Sequence, residues 1–271
     1  MEYNYSYPYN PHYEIRLSIF FITALCVGVP CLIWAFYLVH LQRKTRGRIS
    51  AFIILLLLCD LLQLLLYIYI VSMLLYSGLS YVLNSVIIKL GYFCLKVCGV
   101  HLQQLVSLEG VLTLKYPLIS AQIFSTPCYI IISIIILIFP VMCALLLAFS
   151  DSGNGFHLVA GSILAPVCLL VVTGIITCKA PPTPARTPVS DNRPGASLFL
   201  VTMVTLVVLY LPCVLIHCFP VFHKSLAVMS HCLLSLTVIS EPLQCVLVCR
   251  ENLSTQTKQT HIELNSELTS V

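Results

Sequence analysis

Apolar residues run almost unbroken through seven stretches of this chain, at about 17–40, 50–75, 82–113, 128–149, 158–178, 197–219 and 225–249. A helix rises 1.5 Å per residue, so about 20 apolar residues cross a hydrocarbon layer of ~30 Å. The pattern predicts an all-α membrane protein, a bundle of seven transmembrane helices over 17–249. A polar tail, 1–16, precedes it and another, 250–271, follows. Pro30, Pro140, Pro166, Pro212 and Pro242 fall inside five of the runs. Each removes a backbone donor, and the carbonyl it frees needs another partner, which a packed bundle can supply. Kinked helices also make pivots for a bundle with two arrangements.

The joints between runs fix an orientation. With the N-terminus outside, Arg43, Lys44, Arg46, Arg48, Lys115, Lys179, Arg186, Arg193, Arg250 and Lys258 lie in cytoplasmic segments. The outer segments hold Arg16 and Lys224. Such a bias places the basic side in the cytoplasm, and an odd number of spans puts the C-terminus there too. The expected location is the plasma membrane, as a multi-pass protein.

Composition agrees. Of the 271 residues 59% are hydrophobic and 9% charged, against about 25% charged in soluble domains. Little length remains for a separate soluble domain, and no cleavable signal peptide is evident. The net charge of +4 is spread over the loops, which argues against a nucleic-acid partner. Most of the fourteen cysteines sit in the apolar runs as small buried hydrophobes. Cys94 and Cys98 are four apart on a helix, which is packing spacing, and no metal-ligand pattern appears. No nucleophile stands with a positioned base, so no enzyme and no cofactor are expected. The spans show no internal repeat of the kind many transporters carry.

Several short motifs fall in one order. Glu109-Gly110-Val111 ends the third run and is followed by Tyr116-Pro117-Leu118. Asp60 lies in the second run, Leu209-Tyr210-Leu211-Pro212 in the sixth and Glu241-Pro242-Leu243-Gln244-Cys245 in the seventh. Together they resemble the landmarks of rhodopsin-like G-protein-coupled receptors over about 17–250. The resemblance implies a receptor in which an extracellular small-molecule, lipid or peptide ligand shifts the bundle and a heterotrimeric G protein reads the inner face. Departures are numerous: Gly110 replaces the family's Arg, Val111 its aromatic residue, Tyr210 its Trp, Glu241 its Asn or Asp, and Cys245 its Tyr. Leu32 replaces an Asn, and Ser85 stands where a disulfide Cys is usual. By the same resemblance, Tyr67, Tyr92, Phe93, Lys96, Tyr210 and His217 line a ligand pocket.

Spacing adds a reading of its own. Tyr92, Lys96, Gly99 and Gln103 share one stripe of the third helix. At 1.5 Å per residue, Lys96 lies about 20 Å above Glu109, Asp60 about 18 Å from Arg48 and Glu241 about 14 Å from Arg250. Three ionisable groups at similar depth in a low-dielectric bundle are expected to point inward and pair, as a buried Asp60, Lys96, Glu241 switch. In the related receptors a sodium ion lies between the matching acids. Here Lys96 would replace it, with Gly99 making room. Alternatively, Lys96 points up and meets an acidic ligand.

The tails carry lesser signals. Asn4-Tyr5-Ser6 is a glycosylation acceptor at Asn4. Cys249, beside Arg250, is a palmitoylation candidate. Thr269-Ser270-Val271 fits a peptide that adds to a PDZ sheet edge, with Val271 filling the pocket. His12, His157, His217, His223 and His231 lie near the outer face, an arrangement compatible with proton sensing. Two further readings stand beside the receptor. One is a receptor-like decoy or regulator that does not activate G proteins, for which Gly110 speaks. The other is a seven-span ion transporter or channel with Asp60, Lys96 and Glu241 as its path.

Overall fold

A computed structural model of the chain describes residues 11–44, 49–77, 86–115, 126–149, 201–212 and 232–249, with Gly161 and Cys168. Their order is α1 (Pro11–Lys44), α2 (Ala51–Ser77), α3 (Val86–Lys115), α4 (Thr126–Phe149), α5 (Val201–Tyr210) and α6 (Cys232–Cys249). Among the described residues there is no strand. Helices α1 to α4 match the first four expected spans, and α5 and α6 fall in the sixth and seventh. The fifth expected span lies outside the described residues apart from Gly161 and Cys168.

Helix α1 starts at Pro11, earlier than the edge expected at 17, so residues 11–16 are helical. Proline suits the first turn, because the N–H it lacks has no intrahelical acceptor and its fixed φ is already helical. Ser18–Lys44, Ala51–Tyr76 and Cys232–Cys249 are long and apolar enough to cross a membrane. Helix α3, with Lys89, Lys96, Gln103, Gln104 and Glu109 along its length, is not among them.

The distribution of polarity is inverted relative to a water-soluble protein. Ile33, Trp34, Tyr37, Leu62, Leu65, Ile68, Ile131, Ile135 and Ile138 are exposed, while Asp60, Gln63, Lys96, Gln103, Thr202, Glu241 and Gln244 are buried. Soluble monomers rarely present apolar faces on this scale; a lipid environment accepts them and drives the polar groups inward. The described helices therefore make a membrane protein with a polar interior.

Helix α2 is central and packs on α1, α3 and α4. The main core joins Phe21, Leu32, Phe52, Leu56, Leu57, Leu64, Tyr67, Leu102, Val238 and Val246. Leu32, at the position of the expected Asn, is simply a core residue of α1. Gly28 lets α1 come close to two partners: a Cβ there would meet Val238 Cγ1 at 3.1 Å and Leu64 Cδ2 at 3.2 Å.

Two prolines show how the freed backbone is handled. Pro140 cannot donate to Ile136 O, and Cys98 Sγ of α3 approaches that carbonyl at 3.6 Å. Cys94 Sγ, one turn earlier, approaches Pro140 O at 3.6 Å, so both cysteines fasten α3 to α4. In α5 the chain makes a π-turn over Leu206–Tyr210, with Leu211 N–H donating to Leu206 O. Pro212 follows at once. The wider turn changes the helical register and leaves Leu206, Leu209 and Tyr210 all buried.

Candidate functional site

The inward stripe of α3 carries the site. Lys96, Gly99, Gln103 and Ser107 recur at helical spacing and meet residues of α2, α5 and α6 in three successive layers. Lys96 and Ser107 are eleven residues apart, so the layers extend over about 16 Å.

The first layer holds Lys96. Its ammonium donates to Gln63 Oε1 of α2 at 2.6 Å and to Thr237 Oγ1 of α6 at 2.5 Å. Thr237 completes its own bonding by donating to Leu234 O at 2.9 Å. Helix α6 is irregular at this point. Leu236 is a turn residue whose N–H donates to Leu233 O at 3.0 Å, and Leu236 O receives Ile239 N–H at 3.0 Å. The ammonium also lies 5.5 Å from the Tyr67 ring centre and 5.6 Å from that of Tyr92, within reach of cation–π attraction. Tyr92 and Tyr67 close the layer by hydrogen bonding to Ser235, at 3.3 Å to its Oγ and 3.4 Å to its O.

The second layer is acidic. Asp60 and Glu241 are both fully buried. Tyr210 of α5 donates to Glu241 Oε1 at 2.8 Å. Glu241 and Lys96 both act electrostatically on the Asp60 carboxyl, Glu241 the more strongly. Gly99 is the floor of this layer, since a Cβ there would lie 3.0 Å from Glu241 Oε2, 3.1 Å from Oε1 and 3.4 Å from Gln63 Nε2. The role expected of Gly99 is corrected: it admits the Glu241 carboxyl, not Lys96. The Asp60 and Glu241 carboxyls lie within hydrogen-bonding reach of one another.

The third layer is neutral. Gln103 Nε2 donates to Gln244 Oε1 at 2.6 Å. Gln244 Nε2 donates to Ser107 Oγ at 3.1 Å and also to Thr202 Oγ1. Ser107 and Thr202 share a hydrogen bond of 2.6 Å. Helices α3, α5 and α6 are thus tied together by amides and hydroxyls, with Gln103 Oε1 left without a partner among the described residues.

The third-helix motif is held elsewhere. Glu109 accepts hydrogen bonds from Ser50 and from Tyr129. Ser50 precedes α2 and accepts Phe52 N–H at 3.2 Å, so the same hydroxyl caps that helix. Phe52 and Tyr129 rings meet at 4.7 Å between centres, tilted by 50°. With Gly110 in the family's Arg position, the acid joins the ends of α2, α3 and α4. Gly110 is half-buried in α3, and Val111 follows it in the same helix.

Of the six pocket candidates, Tyr67, Tyr92, Lys96 and Tyr210 come together in the layers, and Phe93 packs beside Tyr92 on the Val100, Leu206, Leu209, Tyr210, Leu234 cluster. His217 lies outside the described residues, as do Asn4, Thr269 and Val271. Pro242 and Cys245 are buried in α6. Cys249, the palmitoylation candidate, is fully buried in the main core.

Sequence reasoning missed the neutral members, namely Gln63, Thr237, Ser235, Gln244, Thr202, Ser50 and Tyr129. A signal for some was present. Gln63 follows Asp60 by three residues and Gln244 follows Glu241 by three, which puts each amide on the face of its acid. No protein-family model matches the chain, and a comparison with curated proteins gives no match.

Proposed function

We propose that the chain is a divergent receptor of the rhodopsin-like type: seven membrane spans, the N-terminus outside, the C-terminus in the cytoplasm, at the plasma membrane. An extracellular small-molecule, lipid or peptide ligand shifts the bundle between two arrangements, and a cytoplasmic partner reads the change. A heterotrimeric G protein is the first candidate for that partner, with a PDZ protein on the C-terminal tail as a second contact.

One observation carries this reading. Tyr210, the last residue of the π-turn and two before Pro212, donates to the buried Glu241 of another helix at 2.8 Å. A hydrogen bond to a carboxyl is worth about 1.5–3 kcal/mol. Its making or breaking is of the right size to bias a two-state bundle, where a shift from 1:99 to 99:1 takes about 5.5 kcal/mol. The irregular backbone on both sides, at 206–210 and at Leu236, marks where the helices can change register. The test is a G-protein dissociation assay in cells, comparing wild type with Tyr210→Phe at matched surface expression. The proposal expects a changed basal signal in the variant. Identical basal signals, equal to cells without the protein, count against it.

The second reading, a receptor-like regulator that does not activate G proteins, has its own support in Glu109. That acid is taken by Ser50 and Tyr129, and the neighbouring position is Gly110. Gly110→Arg in the same assay separates the two. A silent wild type that gains signal with the Arg favours the regulator, and a wild type that already signals removes it.

A further inference from the structure

Two buried thiols lie between α2 and α3, each one residue from a member of the acidic layer. Cys59 precedes Asp60, and Cys98 precedes Gly99. Both are 5% exposed, both belong to the main core, and both are free cysteines. The Cys59 thiol donates towards Cys98 Sγ. Cys98 in turn donates to Ile136 O of α4 at 3.6 Å, the carbonyl that Pro140 leaves without its helical donor. A chain of hydrogen bonds thus runs from α2 through α3 to α4, with the two sulfurs facing each other across the α2–α3 packing.

The surroundings favour one product of this pair. A thiolate carries charge, which an apolar interior penalises heavily. A disulfide is neutral and asks for no hydrogen bond. Thiols within hydrogen-bonding reach need only side-chain rotation to bring the sulfurs to the ~2 Å of a disulfide. Cys94 is worse placed to join either of them. Its Sγ is turned to Pro140 O at 3.6 Å. It also sits four residues before Cys98 on one helix, where Cβ atoms are ~5–6 Å apart, beyond the ~3.5–4.5 Å that a disulfide spans.

We propose that Cys59 and Cys98 are a redox pair, oxidised to a disulfide by a peroxide small and uncharged enough to enter the bundle. The sulfur of one thiol attacks a peroxide oxygen, the O–O bond breaks, and one water leaves with that thiol's proton. The sulfur of the other thiol attacks the sulfenic acid so formed. Its S–O bond breaks, the S–S bond forms, and a second water leaves with the second thiol proton. Two electrons pass from sulfur to the peroxide oxygens. Oxidation consumes the Cys98 S–H, so Ile136 O loses that donor, while α2 and α3 gain a covalent tie beside Asp60 and Gly99. The pair thereby exchanges a contact of α3 with α4 for a bond between α3 and α2. None of this chemistry depends on a ligand or on G-protein coupling.

The experiment treats the purified full chain in lipid nanodiscs with hydrogen peroxide, and in parallel with oxidised glutathione, whose charges keep it out of hydrocarbon. Samples are unfolded in detergent, free thiols are blocked with N-ethylmaleimide, and unreduced peptides are mapped by mass spectrometry. Peroxide should join the Cys59 and Cys98 peptides of one chain and protect both from the blocking reagent. Oxidised glutathione should do neither. Dithiothreitol, which is uncharged, should reverse the link. In Cys98→Ser no link to Cys59 should form, and in Cys94→Ser/Cys143→Ser the link should form as in wild type. The oxidised chain should unfold at a midpoint roughly 5 °C above the reduced one, because the closed loop restricts the unfolded chain. Peroxide that leaves Cys59 and Cys98 free in wild type overturns the proposal. So does a map dominated by Cys94 links or by links between two chains, and so does a midpoint that oxidation leaves unchanged, since the bond then formed outside the native packing.

Discussion

Replacing Lys96 by Met gives the sharpest check on the electrostatics of the interior. The substitution keeps the length of the side chain and removes its charge. It leaves Gln63 Oε1 without the donor at 2.6 Å and Thr237 Oγ1 without the one at 2.5 Å. It also ends the attraction to the Tyr67 and Tyr92 rings, worth about 0.5–1 kcal/mol each. The larger effect falls on Asp60 and Glu241, which keep their burial and lose the cation acting on them. Removing one partner of a buried charged group costs about 3–5 kcal/mol, because the charge left behind has no compensation. Part of this is offset, since burying an ammonium is itself costly and Met packs well in an irregular space. A net loss of about 3 kcal/mol is expected. For a domain of this size that lowers the unfolding midpoint by roughly 6–12 °C. The assay is thermal unfolding of purified protein in choline chloride, so that no small cation substitutes for the missing ammonium. The double variant Lys96→Met/Asp60→Asn removes one acid along with the cation and should recover most of the loss. Strictly additive single effects, or a Lys96→Met midpoint equal to wild type, would refute the claim that the ammonium compensates these acids.

Other layers make their own predictions. Gln244→Leu removes the acceptor of Gln103 and the donor to Ser107 and Thr202; at about 1 kcal/mol per bond plus stranded polar atoms, it should cost about 2–4 kcal/mol in the same unfolding assay. Ser50→Ala removes the cap on Phe52 N–H together with a bond to Glu109, so a loss of about 1–2 kcal/mol is expected, while Ser50→Thr should retain most of it. Gly99→Val places methyl groups where Glu241 Oε2 already lies 3.0 Å from a Cβ; overpacking of about 1–3 kcal/mol should appear as a lower midpoint, and the substitution should also abolish any effect of Tyr210→Phe, because the Tyr210–Glu241 hydrogen bond is lost in both.

The helices α1 to α4 were legible because each falls in a long apolar run. Edges were less legible, since they depend on capping and not on hydropathy. Ser50 sets the start of α2 through a bond to Phe52 N–H, and Pro11 starts α1 in a stretch that reads as polar. The acids and Lys96 stood out because a charge within an apolar run is rare and needs a partner. Their neutral partners did not stand out. Gln, Ser and Thr are ordinary on helices, and only packing shows that Gln63 and Thr237 converge on one ammonium from two helices.

Gly99 and Glu109 show what a motif can and cannot carry. Both were placed correctly on α3 by counting along the helix, yet the partner of each came from elsewhere in the chain. Gly99 faces a carboxyl more than a hundred residues away, and Glu109 is taken by a capping serine of α2 and a tyrosine of α4. Helical spacing fixes which face a residue occupies, but the crossing of helices fixes what stands opposite. Gly110, where the resemblance expects an Arg, therefore leaves Glu109 paired with Ser50 and Tyr129. The three-helix contact that replaces it uses groups that stay within their own helix ends, so moving α5 or α6 need not break it. If the bundle has a second arrangement, the bonds that must change are those that join α3 to α5 and α6: Tyr210 to Glu241, and Gln244 to Gln103, Ser107 and Thr202. Such a change falls on the interior layers and leaves the Glu109 contact in place.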